Sequence, residues 1–184
     1  VNWDISSAEK GGYEHFMMKE ICEQPEALLK TISPRIKNGR IVLDDLKLTR
    51  ADIEKISRVY IVACGTSYHV GAVAKYAFEK LLRMPIETDV ASEFRYRDPI
   101  LDDKTLVIII SQSGETADTL AALREARRQG ARTLAIVNVV GSTIANEADD
   151  VLYTWAGPEI AVASTKAYST QLAVIYLIAL YMAR

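Results

Sequence analysis

A chain of 184 residues with 49% hydrophobic and 25% charged side chains is long enough to bury a substantial core, and its make-up is that of an ordinary globular fold. A formal net charge of −2, from 22 Lys and Arg against 24 Asp and Glu, supplies no basic field for nucleic acid. Two cysteines, Cys22 and Cys64, are too few for a disulfide framework and lack metal-ligand spacing, so the setting expected is reducing and cytoplasmic.

The opening stretch "VNWDISSAEKGGYEHF" has no apolar signal core, and secretion is not expected. "YEHFMMKEICEQPEALLKTI" then shows helical periodicity through Phe16, Met17, Ile21, Ala27, Leu28 and Ile32, with Pro25 suited to the first turn of a second helix. "KNGRIVLDD" reads as a loop or short hairpin around Asn38-Gly39, and Thr49 as the N-cap of a short helix. Residues 1–50 are thus expected to form a linker and helical lead-in, and residues 51–184 the main domain.

From Arg58 the pattern is regular. Strands are predicted at Val59–Cys64, Ile86–Ala91, Thr105–Ile110, Arg132–Asn138 and Val151–Trp155, each a short apolar run of the kind buried on both faces. Helices are predicted from Ser67 to Leu82, from Glu115 to Gln129, near Thr143 to Glu147, and from Thr165 to the end. "SEFRYR" is a short helix or loop. The run Leu172 to Met182 is about half of the ~20 residues that a membrane span needs, so it is read as a helix buried in protein. Arg124, Arg127, Arg128 and Arg132 are read as a solvated face near a helix end.

Strands alternating with helices predict an α/β fold: a three-layer α/β/α sandwich around a five-stranded parallel sheet in flavodoxin-like order 2-1-3-4-5. Open sheets of this kind bind ligands outside the carboxyl ends of their strands, where the strand order reverses. That rule selects the loops after strands one and three, "CGTS" and "SQSGET". Each opens a helix, and a helix N-terminus offers unpaired N–H groups and partial positive charge to a phosphate. Neither loop matches the Walker pattern or G-x-G-x-x-G, which points to a phosphorylated small molecule bound without a metal.

Serine and threonine are also the preferred helix caps, and Ser67, Ser113 and Ser164 each have that simpler reading. Capping uses about one hydroxyl per loop, which leaves Thr66, Ser111, Gln112 and Thr116 in excess. Lys166 has no neighbour in sequence to lower its pKa and is read as structural or as a charge contact. Cys64 is read as a small packing residue, Glu115 as an acid in a helix's first turn, and His15 and His69 as structural.

The stretches "ACGTSYHVG", "SQSGETADT" and "EIAVASTKAYSTQ" together resemble the sugar-isomerase (SIS) domain family, specifically the first of two such domains in aminotransferases that build amino sugars. "GGYEHFMMKEICEQP" resembles the segment that precedes that domain, so the likeness covers essentially the whole chain. It implies conversion of fructose 6-phosphate and glutamine to glucosamine 6-phosphate and glutamate, with no cofactor. It also implies that Thr66, Ser67, Ser111, Gln112, Ser113 and Thr116 hold the sugar phosphate, with Val162 and Ser164 near the sugar end.

By the same resemblance, catalytic groups are expected outside this chain. A glutaminase domain with a nucleophilic cysteine, a second SIS domain with a Schiff-base lysine and a glutamate, and a histidine from a neighbouring subunit complete the reaction. The start at Val1 and the ending "YLIALYMAR", without a C-cap glycine, lead to the expectation of a fragment that binds a hexose phosphate as a homodimer without chemistry of its own. A sugar-phosphate-sensing domain of a regulator is the alternative, disfavoured because the lead-in is not basic. A flavin-binding or receiver-like module ranks lower still, for want of aromatic stacking residues or an acidic cluster.

Overall fold

The computed structural model describes residues 9–183, so residues 1–8 of the expected lead-in and Arg184 lie outside the described part. The chain begins with helix α1 (Phe16–Ile32), a 3-10 turn at Ser33–Arg35, a small hairpin of β1 (Ile36–Lys37) and β2 (Arg40–Ile41), and helix α2 (Arg50–Lys55). The hairpin turn is Asn38-Gly39 with φ of 52° and 71°, the pair of positive values that a two-residue turn needs. Thr49 caps α2 as expected: its hydroxyl accepts the Asp52 N–H while the Asp52 carboxylate accepts the Thr49 N–H.

Pro25 does not open a second helix. It sits inside the continuous α1, where it cannot donate to the carbonyl of Ile21. The Gln24 side chain donates to that carbonyl instead, at 3.3 Å, and supplies a partner for the acceptor that the proline leaves open.

The main domain alternates β3 (Arg58–Ala63), α3 (Gly65–Leu82), β4 (Ile86–Val90), α4 (Ala91–Phe94), β5 (Thr105–Ser111), α5 (Ala117–Arg128), β6 (Arg132–Val137), α6 (Thr143–Glu147), β7 (Asp150–Tyr153) and α7 (Lys166–Met182). All five strands are parallel in the order β4-β3-β5-β6-β7, which is the predicted order.

Successive side chains of a strand point to opposite faces, and the two halves of the core follow that rule. Ile61, Ile108, Ile110, Leu134 and Ile136 pack with Val70, Phe78, Val174 and Ile178 of α3 and α7. Tyr60, Val62, Val107, Ile109 and Val137 pack with Phe94, Leu123 and Ile144 of α4, α5 and α6. Ile108, Ile109 and Ile110 are each fully buried, and each contributes about 1.5–3 kcal/mol relative to exposure.

The apolar run in α7 is accounted for by burial: Val174, Ile175, Ile178 and Ala179 are wholly covered. Among the described residues no helix is long and apolar enough to cross a membrane. The arginine face is solvated and paired, Arg124 with Glu147 at 2.6 Å and Arg128 with Glu125 at 2.6 Å. Both cysteines are free.

Candidate functional site

The reversal of strand order lies between β3 and β5, and the helices that follow them leave on opposite faces of the sheet. Their N-termini therefore flank one crevice from two sides. A cavity of about 270 Å³ occupies it, lined by Thr66, Ser67, Ser111, Gln112, Ser113, Thr116, Val162 and Ser164, together with Cys64, Thr119 and Glu159. All eight residues singled out from the sequence are thus brought to one place. Val162 is the outermost, fully exposed at the rim.

The lining contains no Lys or Arg. Positive potential comes from the backbone: α3 and α5 both lack a side-chain cap, so their first N–H groups are left for an outside acceptor. This differs from the capping expected of Ser67, Ser113 and Ser164. Ser67 lies inside the first turn of α3, and its hydroxyl donates to Gln171 of α7 at 3.0 Å. Ser113 accepts the N–H of Glu115 at 3.2 Å within the turn. Ser164 donates to Glu159 at 3.0 Å, and the Glu159 carboxylate itself takes the N–H groups of Thr165 (2.9 Å) and Ala167 (3.1 Å) at the start of α7. A carboxylate carries more charge than a hydroxyl and so takes the cap.

Ser111 is not in excess either. Its Oγ accepts the N–H of Gly114 at 3.0 Å and lies 3.3 Å from the Thr116 hydroxyl, which ties the turn internally. The side chains of Thr66 and Gln112 form no hydrogen bond among the described residues. Gly65 and Gly114 turn the two loops with φ of 57° and 68°. A Cβ on Gly65 would meet nothing within 4 Å, whereas one on Gly114 would lie 2.1 Å from Ser142 Oγ. Gly114 is needed for space as well as for conformation.

Glu115 precedes α5 rather than starting it. Its carboxylate accepts the N–H (2.7 Å) and hydroxyl (2.8 Å) of Thr143 at the start of α6, and those bonds, backbone first, hold its pKa below the ordinary carboxylate value. Lys166 is buried, with its Nζ 2.6 Å from Glu23, which bears out the charge-contact reading. His69 stacks edge-on against Tyr68 with ring centroids 5.6 Å apart.

Asn138 was not singled out from the sequence, yet it joins the strand ends beneath the cavity. Its N–H donates to Gln112 O (3.0 Å), its Nδ2 to Gly157 O (2.7 Å), and its Oδ1 accepts from Thr154 Oγ1 and Ala156 N–H (both 2.9 Å). The available signal was a buried asparagine at the carboxyl end of a central strand. Glu159 was also missed, because an acid in a loop looks solvated until the N–H and O–H groups that it accepts from are known.

A wider cleft of about 460 Å³ lies at the opposite end of the strands, lined by Lys55, Arg127 and Arg132 and by Asp52, Asp103 and Asp149. Its charges answer one another, with Arg132 2.8 Å from Asp150 and 3.5 Å from Asp52, and it sits at the amino ends of the strands. The crevice at the carboxyl ends is the better candidate. Among the described residues, no group of three or more His, Cys, Asp or Glu is placed to hold a metal ion.

Comparison with known proteins identifies the family. The family model described as "SIS domain" matches residues 52–181. Glutamine–fructose-6-phosphate aminotransferase (isomerizing) of Clostridium tetani is 62% identical across 100% of this chain, and that of Caldanaerobacter subterraneus is 64% identical across 98%. In each case the chain spans 30% of the relative's length. The solved C-terminal domain of glucosamine-fructose-6-phosphate aminotransferase from Francisella tularensis superposes with a TM-score of 0.90 at 46% identity, covering 95% of this chain and 50% of that one. Glucosamine-6-phosphate deaminase from Thermotoga maritima superposes at 0.74 and 26% identity, covering 92% and 49%. With the doubly wound sheet, the paired hydroxyl loops and a family match over most of its length, this chain belongs to the SIS domain family.

Proposed function

We propose that this chain is the sugar-phosphate-binding half of the isomerase portion of a glutamine–fructose-6-phosphate aminotransferase. The reading rests on one observation: two uncapped helix N-termini meet at a cavity lined by hydroxyls and free of basic side chains. Such a cavity suits a phosphate monoester, whose charge is met by N–H groups and helix dipoles and whose oxygens accept from serine and threonine. In this reading Thr66, Ser67, Ser111, Gln112, Ser113 and Thr116 surround the phosphate, and Val162 and Ser164 border the sugar.

The names and identities of the relatives support the wider assignment. The complete enzyme would convert fructose 6-phosphate and glutamine to glucosamine 6-phosphate and glutamate in the cytoplasm. This chain would be a homodimerising unit, with residues 1–50 as lead-in and 51–184 as the SIS domain. Its part is to bind and orient the phosphate, and the proton-moving and amine-bearing groups belong to the rest of the enzyme.

Thermal unfolding of the chain with fructose 6-phosphate, glucose 6-phosphate and unphosphorylated fructose tests the phosphate reading. The phosphorylated sugars should raise Tm and fructose should not, since only a ligand bound to the native state stabilises it. Equal shifts with all three sugars would refute the reading.

A further inference from the structure

Glu20 lies in the lead-in helix, only 2% exposed, and its carboxylate reaches a loop 140 residues further on. Oε1 accepts the N–H groups of Ile160 (2.6 Å) and Ala161 (3.1 Å), the two residues before Val162. Oε2 is buried without a hydrogen-bond partner. A buried carboxylate oxygen left unpaired is costly, so its retention calls for a task that a smaller neutral side chain would not perform.

The surroundings define that task. Among the described residues, no backbone-to-backbone hydrogen bond involves residues 160–163. On the same face of α1, Glu23 lies 2.6 Å from Lys166 and Gln24 bonds Ser169, both in the first turn of α7. From the cavity side, Glu159 holds the N–H groups of Thr165 and Ala167. The loop that carries Val162 and Ser164 is therefore suspended between α1 and α7, and its middle is held by Glu20.

We propose that Glu20 is a positioning residue for the sugar-phosphate cavity: it fixes the Ile160–Ala161 backbone so that Val162 and Ser164 border the ligand. This rests on the reading of the cavity given above. It makes the lead-in helix a working part of the site, because a displacement of α1 would move one wall of the cavity.

The test uses the 184-residue chain and its E20A and E20Q variants, with two readouts: calorimetric Kd for fructose 6-phosphate, and hydrogen exchange at the Ile160 and Ala161 amides without ligand. E20A should weaken Kd about tenfold and speed exchange at those amides by about the same factor, the scale of one lost charge-assisted hydrogen bond, while β5 amides stay protected. E20Q keeps an acceptor at Oε1 and should restore most of both. If E20A does not fold, E20D, one methylene shorter, is expected to show the same pair of effects more weakly. A variant that lowers Tm but leaves Kd and loop exchange unchanged would overturn the positioning role alone. A wild-type chain that binds no sugar phosphate would instead overturn the assignment of the cavity, and the positioning role with it.

Discussion

Gly114→Ala should be among the most damaging single-methyl additions to this fold. The residue has φ of +68°, a region that costs an L side chain about 1–2 kcal/mol. The new Cβ would stand 2.1 Å from Ser142 Oγ and 2.6 Å from Ser142 Cβ, well inside contact distance. The loop cannot simply yield: Gly114 N–H donates to Ser111 Oγ and Gly114 O accepts from Ile144 N–H, each at 3.0 Å. Overpacking of this sort costs about 1–3 kcal/mol more, so the expected total is about 2–5 kcal/mol. For a chain of this length that is a fall in Tm of about 5–15 °C. Gly65→Ala is the control, because it carries the same backbone penalty with nothing within 4 Å of the new methyl, and about 1–2 kcal/mol is expected. Urea titrations of both variants, and of Gly114→Ala combined with Ser142→Gly, separate the two contributions. Ser142 Oγ makes no hydrogen bond, so its removal should return the overlap share and leave the backbone share. Equal losses for Gly65→Ala and Gly114→Ala, or no recovery in the double variant, would refute the reasoning.

The Glu23–Lys166 pair should respond asymmetrically. Lys166→Met keeps the stem and leaves Glu23, whose side chain is 32% exposed, within reach of water, for a loss of about 1–2 kcal/mol in urea unfolding. Glu23→Gln leaves an ammonium 96% covered without its counter-charge and should cost about 3 kcal/mol or more. Glu125 sets a pH limb: hydrogen bonds from Arg128 and then Gln129 bring its pKa from 4.5 to about 2. Its folded pKa is below its unfolded value, so its contribution is complete above about pH 4.5 and fades as pH falls toward 2. Because the Arg128 side chain is largely solvated, the effect is discounted to about 1 kcal/mol, seen as a shallower acid limb for Glu125→Gln in a Tm-against-pH series.

The alternation of strands and helices was legible because parallel strands buried on both faces are written as unbroken apolar runs. "TLVIII" became β5 at nearly the predicted limits, and α6 fell where "TIANE" was read. The two hydroxyl-rich loops were legible as neighbours once the strand order was assumed. Local rules did less well wherever a distant group could compete. Pro25 stayed within a helix because Gln24 and the packing of α1 on α7 compensated for it. Ser67 turned to Gln171, 104 positions away, and even at short range Ser164 lost the cap of α7 to the more highly charged Glu159 five residues before it.

By itself the sequence determined the class of fold and the small, polar chemistry of the two loops, because these follow from local pattern and short-range turn geometry; the strand order was taken from the common order of that class, and non-local pairing set it. Tertiary structure alone decided which polar groups stay unpaired at the cavity. The helix ends of α3 and α5 remain open because Cys64 brings no oxygen to the first cap and the Thr116 hydroxyl turns to Ser111 at the second, and the Ile160–Ala161 backbone beside the cavity is held by Glu20 in the lead-in. Hydrogen-bond partners separated by a hundred or more residues are set by how layers pack, and no spacing along the chain encodes them.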